Sequence, residues 1–333
     1  MSKNIGIDLG TSNTIVYAKG KGIIMREPSV VAVESRSGKV VAVGAEARMM
    51  LGKTPGSIKA VHPLKDGVIA EFDFAAKMLH DMFQRASGST LFSRPRVVVC
   101  IPSGVTEVER RAAEDVTMLA GAQAVAPIEE PIAAAIGAGL RVEDARGKMI
   151  VDIGGGTTEV AVLSYGGIVL CNSIRVAGDS LDESIVGYIK RKYNVLIGDV
   201  TAEELKKNLA SVLAETDRGV MEVRGRNLMN GLPAILTVSS GEIREAISEE
   251  VSHIIDCIRN TLETTPPELS SDIYDMGIVL SGGGALIHGL PQLISQVTGI
   301  RVLVAKNPLD SVAIGIGHVI ESNMGGLGNY RNR

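Results

Sequence analysis

Residues 150–160 read Ile150-Val151-Asp152-Ile153-Gly154-Gly155-Gly156-Thr157-Thr158-Glu159-Val160, and this stretch decides the fold. An apolar, β-prone run ends in an aspartate. Three consecutive glycines then give up side-chain packing for close backbone approach, and hydroxyl residues lead the chain into a second strand. A strand tip that presents one carboxylate beside exposed backbone N–H groups suits a phosphate and its metal. Nearly half the chain earlier stands a shorter version, Ile5-Gly6-Ile7-Asp8-Leu9-Gly10-Thr11-Ser12-Asn13-Thr14. Alone, Asp8-Leu9-Gly10-Thr11 is equally well explained as a tight turn that aspartate favours locally. Two copies, each followed by strand–turn–strand, predict two related domains gripping one polyphosphate from opposite sides.

The chain has 333 residues, beyond the roughly 250–300 at which single cores stop growing, so two lobes are expected. Hydrophobic residues make up 45% and charged residues 22%, a balance that predicts a folded protein rather than a disordered one. A net charge of −4 without a dense Lys/Arg block gives a nucleic-acid partner no electrostatic support. Cys100, Cys171 and Cys257 are far apart and lack CxxC spacing, which reads as buried free thiols in a reducing compartment. Only Met1-Ser2-Lys3-Asn4 stands before the first predicted strand, and no apolar run reaches the roughly 18 residues of a spanning helix. The expectation is a soluble chain, or one lying against a membrane surface. With aromatics at 3% and no Trp, Val, Ile, Leu, Ala and Met must fill its cores.

Outward from the two aspartates, the halves repeat one plan. In the first, Ile5–Asp8 and a hairpin around Gly20-Lys21-Gly22 lead into a small insertion over 31–66. A helix over Phe72–Arg85 and a buried strand over Arg96–Ile101 follow. Thr106 and Glu109 form a capping-box signal for the next helix, then come a strand over Ala124–Ile128 and a helix over Ile132–Leu140. In the second half, strands over Met149–Ile153, Glu159–Ser164 and Ile168–Val176 precede a larger insertion, roughly 180–238. Helical spacing marks Leu181–Tyr193 and Ala202–Leu213 there. Ser239-Ser240-Gly241-Glu242 caps what reads as one long amphipathic helix through Leu262. Gly277–Leu280, a helix, Arg301–Val304 and a last helix over Leu309–Glu321 close the plan. Pro131…Ala135-Ile136-Gly137 matches Pro308…Ala313-Ile314-Gly315. Taken singly these are ordinary small-residue helices; as a matched pair they predict two backbones crossing closely between the lobes as a hinge.

Two further segments carry chemistry. Ser281-Gly282-Gly283-Gly284-Ala285 is a third glycine loop at a strand-to-helix junction, where a phosphate, or a base and sugar, could lie flat. Glu129-Glu130-Pro131 is either a solvated helix start, since acids favour that end of the dipole, or a carboxylate orienting a water for in-line attack.

These residues together resemble the actin/Hsp70/sugar-kinase superfamily, whose five elements stand here in order. They are a first phosphate loop (Asp8–Asn13), a connecting helix (Pro131–Leu140), a second phosphate loop (Asp152–Thr158), an adenosine loop (Ser281–Leu286) and a second connecting helix (Leu309–Glu321). Within it, from Lys3 to about Glu321, the chain is similar to the MreB/Mbl family of bacterial actin homologues. Matching phrases include Glu27-Pro28-Ser29-Val30-Val31, Gly52-Lys53-Thr54-Pro55-Gly56, Asp66-Gly67-Val68-Ile69-Ala70 and Thr264-Thr265-Pro266-Pro267-Glu268-Leu269. The resemblance implies an α/β fold of duplicated actin-like (ribonuclease H-like) domains flanking a nucleotide cleft, each with a smaller inserted subdomain. Its subdomain IA would comprise 1–31, 67–141 and 313–333, and IB 32–66; IIA would comprise 142–179 and 240–312, and IIB 180–239.

By position, the resemblance implies that Gly10, Thr11, Ser12 and Asn13 wrap the β- and γ-phosphates of ATP or ADP, with Gly154, Gly155, Gly156 and Thr157 opposite. Asp8 and Asp152 would hold Mg²⁺ through its waters. Glu130 and Thr157 would position the attacking water. Glu203 and Lys206 would lie beside the adenosine, in a pocket closed by Gly282, Gly283, Gly284, Ala285 and Leu286. Ser12 replaces the usual alanine, and Asn208-Leu209-Ala210 replaces a common Glu-Ile-Gly, which bears on affinity and base preference. The implied function is a slow ATPase whose filaments lie on the inner face of the cell membrane and maintain rod shape. Its partners would be further copies of itself, the membrane and rod-shape proteins of cell-wall synthesis, with no nucleic acid. Leu91 and Phe92, in the turn Ser89-Thr90-Leu91-Phe92-Ser93, read either as a membrane-facing pair or as a pair tucked against the neighbouring helix. An Hsp70-type chaperone would need a long C-terminal domain, a sugar or acetate kinase an acceptor site. An ATP-binding scaffold without significant hydrolysis is the remaining alternative.

Overall fold

The computed structural model describes residues 4–87 and 94–322; the Leu91–Phe92 pair lies outside them. The first half runs β1 (Asn4–Leu9), β2 (Asn13–Ala18), β3 (Gly22–Pro28), β4 (Val31–Glu34), β5 (Val40–Val43), α1 (Ala45–Met49), β6 (Ile58–Val61), β7 (Leu64–Lys65) and β8 (Val68–Ile69). It continues with α2 (Phe72–Ser87), β9 (Arg96–Ile101), α3 (Glu107–Leu119), β10 (Ala124–Glu129) and α4 (Glu130–Gly137). The second half runs β11 (Lys148–Ile153), β12 (Thr158–Ser164), β13 (Gly167–Ile174), α5 (Gly178–Tyr193), β14 (Val195–Leu196), α6 (Asp199–Leu209), β15 (Val220–Asn227) and β16 (Pro233–Ser239). After it come α7 (Ser240–Ala246), α8 (Ser248–Thr264), α9 (Pro267–Met276), β17 (Ile278–Ser281), α10 (Leu290–Thr298), β18 (Val302–Val304) and α11 (Ser311–Glu321).

The two main sheets have the same construction. One is ordered β10-β9-β1-β2-β3 and the other β18-β17-β11-β12-β13. In each, three consecutive strands form an antiparallel meander, and two later strands add in parallel beside the first. The duplication expected from Asp8 and Asp152 is therefore topological, not confined to two loops. Asp8 and Asp152 occupy the same place near the end of the central strand of their sheets, β1 and β11. Parallel sheets bind ligands at their carboxyl edges, so this placement brings both acids to the binding edge.

Each lobe has its own core, one centred on Ile7, Met78, Leu79, Val97 and Val99, the other on Met149, Val151, Leu181, Ile254 and Leu280. A third cluster lies between them, built from α4, α11 and inward residues of β11 and β12: Ile132, Ala133, Ala134, Ile150, Ala161 and Ile316. The predicted crossing of the small-residue helices is present. A methyl group on Gly137 would collide with the Ser311 carbonyl, and one on Gly315 with the Ala133 carbonyl. Any larger side chain at either position would push the helices apart.

Smaller sheets stand beyond the main ones. β5-β4-β6 carries α1 on the first lobe, and β14-β15-β16 extends the second. The helix expected over Ala202–Leu213 stops at Leu209. Ala210 turns extended, and the next residues pair with His288 through a Ser211–His288 bridge and a Val212 N–H to His288 carbonyl bond of 2.9 Å. The long helix expected after Ser239 keeps its capping box but divides into α7 and α8 at Ile247, whose ψ of 4° leaves the helical range. The hairpin β15–β16 and helix α9 were not anticipated.

Candidate functional site

The carboxyl edges of the two main sheets face each other across a cleft. On the first side, Ser29 donates to the Gly10 carbonyl at 2.7 Å and lies 2.9 Å from Thr14 Oγ1, bracing the turn that follows Asp8. Thr11 is buried, and its hydroxyl accepts from the Gly67 N–H at 2.9 Å. Asn13 is exposed where β2 begins. On the other side, Gly154 N–H closes a turn onto the Thr157 carbonyl at 2.9 Å, and Thr157 is buried. The loops meet directly. Ser12 Oγ occupies the place a side chain on Gly155 would need, while Thr11 and Asp66 press on Gly156, so only glycine fits at both positions. Ser12 also donates to Asp179 across the cleft at 3.2 Å, a bond that an alanine there could not make.

Four acids converge at the floor. Burial pushes Asp8 up to about 7, helped by the charges of Asp152 and Asp310. Burial pushes Asp152 up to about 6, although the Ser281 hydroxyl, donating at 2.8 Å, and a hydrogen bond with Glu130 oppose the rise. Glu130 is held well above the usual carboxylate range by burial and by the charges of Glu159, Asp152 and Asp8. Glu159, 1% exposed, is pushed up to about 8 by burial against the opposing bond from Ser103 N–H at 2.7 Å. Its other oxygen has no hydrogen-bond partner. Glu159 stands directly opposite Asp152 in the β11–β12 ladder, so the two carboxyl groups share one face of the sheet. Like charges in such pairs destabilise a fold, so a cation bound beside them would be favoured.

A magnesium ion fits that description. Among the described residues no group of three or more His, Cys, Asp or Glu side chains could hold a metal alone. Two facing carboxylates at a phosphate site match an ion that keeps several waters and takes its remaining ligands from phosphate oxygens. Asp8 and Asp152 would be those carboxylates.

The third glycine loop closes against the second phosphate loop. Gly282, at φ 78°, and Gly284 both abut Ile153, where any side chain would clash, and Ala285 is buried while Leu286 is half-exposed. Glu203 and Lys206 project from one face of α6. Lys206 pairs with Asp182 at 2.6 Å and donates to the Gly178 carbonyl at 2.6 Å, and Gly178 itself lies against Gly154 and Gly155. Lys206 is thus placed beside the second phosphate loop. Glu203 pairs with Lys207 at 2.5 Å and with Arg48 from the opposite lobe.

Neither Glu159 nor Ser281 was expected at the cleft floor; Ser281 was expected only as the start of the adenosine loop. The signal for Ser281 was its register, since the parallel pairing of β11 with β17 sets it beside Asp152. For Glu159 it was an acid beside the apolar run Val160–Leu163; all six other residues of the strand are buried too.

Two lobes of one topology, each offering an aspartate and a turn of glycine and hydroxyl residues to a shared cleft, define an actin-like nucleotide clamp. The chain belongs to the MreB/Mbl family, whose model matches residues 2–325. It is 48% identical to the cell shape-determining protein Mbl of Bacillus subtilis, over 96% of each chain. It is 50% identical to the cell shape-determining protein MreB of Escherichia coli K12, over 96% of this chain and 94% of that one. The crystal structure of MreB5 of Spiroplasma citri bound to AMPPNP superposes with a TM-score of 0.91 at 39% identity, over 96% of both chains, and an ADP-bound form does equally well. A MamK double helical filament, at 21% identity and a TM-score of 0.82, shares the fold.

Proposed function

We propose that this chain is a cytoskeletal ATPase that assembles into filaments and helps to determine cell shape. The observation that carries the reading is the pair of phosphate loops with Asp8 and Asp152 on equivalent strands of two lobes, in a chain whose relatives are cell shape-determining proteins. An ATP analogue and ADP bound to a 39% identical relative of the same fold support the choice of nucleotide. Gly10–Asn13 and Gly154–Thr157 cradle the β- and γ-phosphates. Glu203 and Lys206, with Gly282–Leu286, line the nucleoside side. The subdomain division into 1–31, 67–141 and 313–333; 32–66; 142–179 and 240–312; and 180–239 goes with this reading, with α4 and α11 as its hinge.

Asp8 and Asp152 would hold magnesium, and the ion would supply positive charge that favours ionisation of the neighbouring carboxyl groups. Burial and the neighbouring acids hold the Glu130 carboxyl well above the usual carboxylate range; once ionised, Glu130 would accept a hydrogen bond from water and, with the Thr157 hydroxyl, aim that water at the terminal phosphate. Hydrolysis removes the γ-phosphate contacts that join the loops and so shifts the lobe equilibrium. Among the described residues no helix is long and apolar enough to cross a membrane. We place the filaments on the inner membrane face, where many copies of a weak contact sum to stable binding.

Pelleting with ATP–Mg²⁺ on lipid vesicles, followed by electron microscopy, tests the assembly; a chain that stays monomeric there would overturn it. Glu130→Ala should lower phosphate release by about 10²-fold while filaments still form. Unchanged hydrolysis would make the chain an ATP-binding scaffold whose Glu130 has no catalytic part.

A further inference from the structure

Polar ties join the lobes at several depths. Ser103 N–H reaches Glu159 at the floor, and Ser12 reaches Asp179 between the phosphate loops. Arg48, from α1 on the small first-lobe sheet, reaches Glu203 on α6. The last tie is the only one of the three that joins the two smaller subdomains.

Both its ends are firmly mounted. Ala47 is buried against Val30, Ala32 and Ala42, which seats α1 on its sheet. The first N–H of α1, that of Ala45, donates to Glu27 at 2.8 Å, and Glu27 is itself paired with Arg85 of α2 at 2.6 Å. On the other lobe, α6 is anchored by fully buried Ala202 and Leu205. Glu203 divides its oxygens, Oε1 to Lys207 on its own helix and Oε2 to Arg48 across the cleft. Both side chains are largely covered, at 32% and 24% exposure, so the pair does not have to organise two freely moving surface chains. One turn along the same helix face, Lys206 contacts Gly178 beside the second phosphate loop. A pull on Glu203 is therefore a pull on the helix that leans over that loop.

We infer that Arg48 is a positioning residue for nucleotide retention: its ion pair with Glu203 straps α1 to α6, keeps the lobes closed and slows escape of a nucleoside triphosphate from the cleft. The inference rests on the nucleotide reading above. Arg48 itself touches neither phosphate loop; it acts through Glu203. Opening the lobes must break the pair, so the strap adds to the barrier for release and scarcely alters the closed site.

The test uses the full chain loaded with a fluorescent ATP analogue in Mg²⁺ and chased with excess ATP. Arg48→Ala should release the analogue about two- to fivefold faster than wild type, the range expected of a partly covered ion pair. Added salt should speed wild-type release by a larger factor than release from Arg48→Ala, which keeps the other cross-lobe pairs, Arg26–Asp310 and Arg175–Glu109. Lys207→Ala, which removes Glu203's partner on the same helix, should release at the wild-type rate. Equal rates for Arg48→Ala and wild type, or equal acceleration by Lys207→Ala, would overturn the strap. A second measurement needs no nucleotide: spin labels at Lys39→Cys, just before β5, and Arg224→Cys, on β15, should report a broader and longer distance distribution in the Arg48→Ala background. An unchanged distribution refutes the inference. If the strap is seen there but wild type binds no analogue, the nucleotide reading fails and retention fails with it.

Discussion

At the scale of single residues, the cleft floor sets a pH dependence. Asp152, Asp8 and Glu159 are raised from ordinary values of 3.8, 3.8 and 4.5 to about 6, 7 and 8. Between the ordinary and the raised values the folded chain binds more protons than the unfolded one, so stability falls as pH rises through that window. The nucleotide-free protein should accordingly melt at a lower temperature at pH 8 than at pH 5. Glu159→Gln keeps the acceptor for Ser103 N–H and removes the charge facing Asp152. Its melting temperature should exceed that of wild type by ~3 °C or more at pH 8 and match it near pH 5; calorimetry at the two pH values measures both. Parallel curves for the two proteins would mean that Glu159 is not the group whose burial sets the slope.

At the scale of elements, the α4–α11 crossing makes the sharpest prediction. Gly315→Ala forces a methyl group into the Ala133 carbonyl and should cost about 3 kcal/mol, read from denaturant unfolding. Gly139→Ala, just past α4, meets nothing within 4 Å but must hold a φ of 85°, and should cost only about 1 kcal/mol. Ser239→Ala, which removes the capping box of α7, belongs near the same value. These elements also show what sequence could and could not reveal. The strand Arg96–Ile101 and the Thr106–Glu109 capping box were legible because periodicity and capping are local. So was the crossing, because its small residues repeat in both halves. The β15–β16 hairpin was not, since it buries little beyond Val223 and Val238 and keeps Val220 and Ile235 exposed. Nor was the break at Ile247, where apolar spacing continues through both helices and only the backbone changes. In the site, the glycine loops and the two aspartates could be read as motifs. The Arg48–Glu203 tie could not, because its partners stand 155 positions apart on different lobes.

At the scale of the whole molecule, nucleotide and metal should act as one ligand. ATP–Mg²⁺ at about a hundred times its dissociation constant should stabilise the chain by about 2.7 kcal/mol. EDTA should remove most of that gain, because ATP alone adds negative charge to the acids of the floor; thermal shift with and without chelator is the measurement. The helix crossing has a further consequence for the molecule's history and chemistry. Gly137 meets Ser311 while Gly315 meets Ala133, and each glycine stands four residues after the residue that receives its counterpart. Such reciprocal contacts are the mark of a dyad, as between identical subunits of a symmetric dimer. The chain is a dimer of similar halves written as one polypeptide. A nucleoside triphosphate has no dyad of its own, so one half must have surrendered its equivalence wherever the two ends of the ligand differ. Glu130 begins α4, whereas the approach to α11 offers no glutamate and its acid, Asp310, is engaged by Arg26. The departures from that internal symmetry, more than the symmetry itself, are the map of where the proposed hydrolysis would take place.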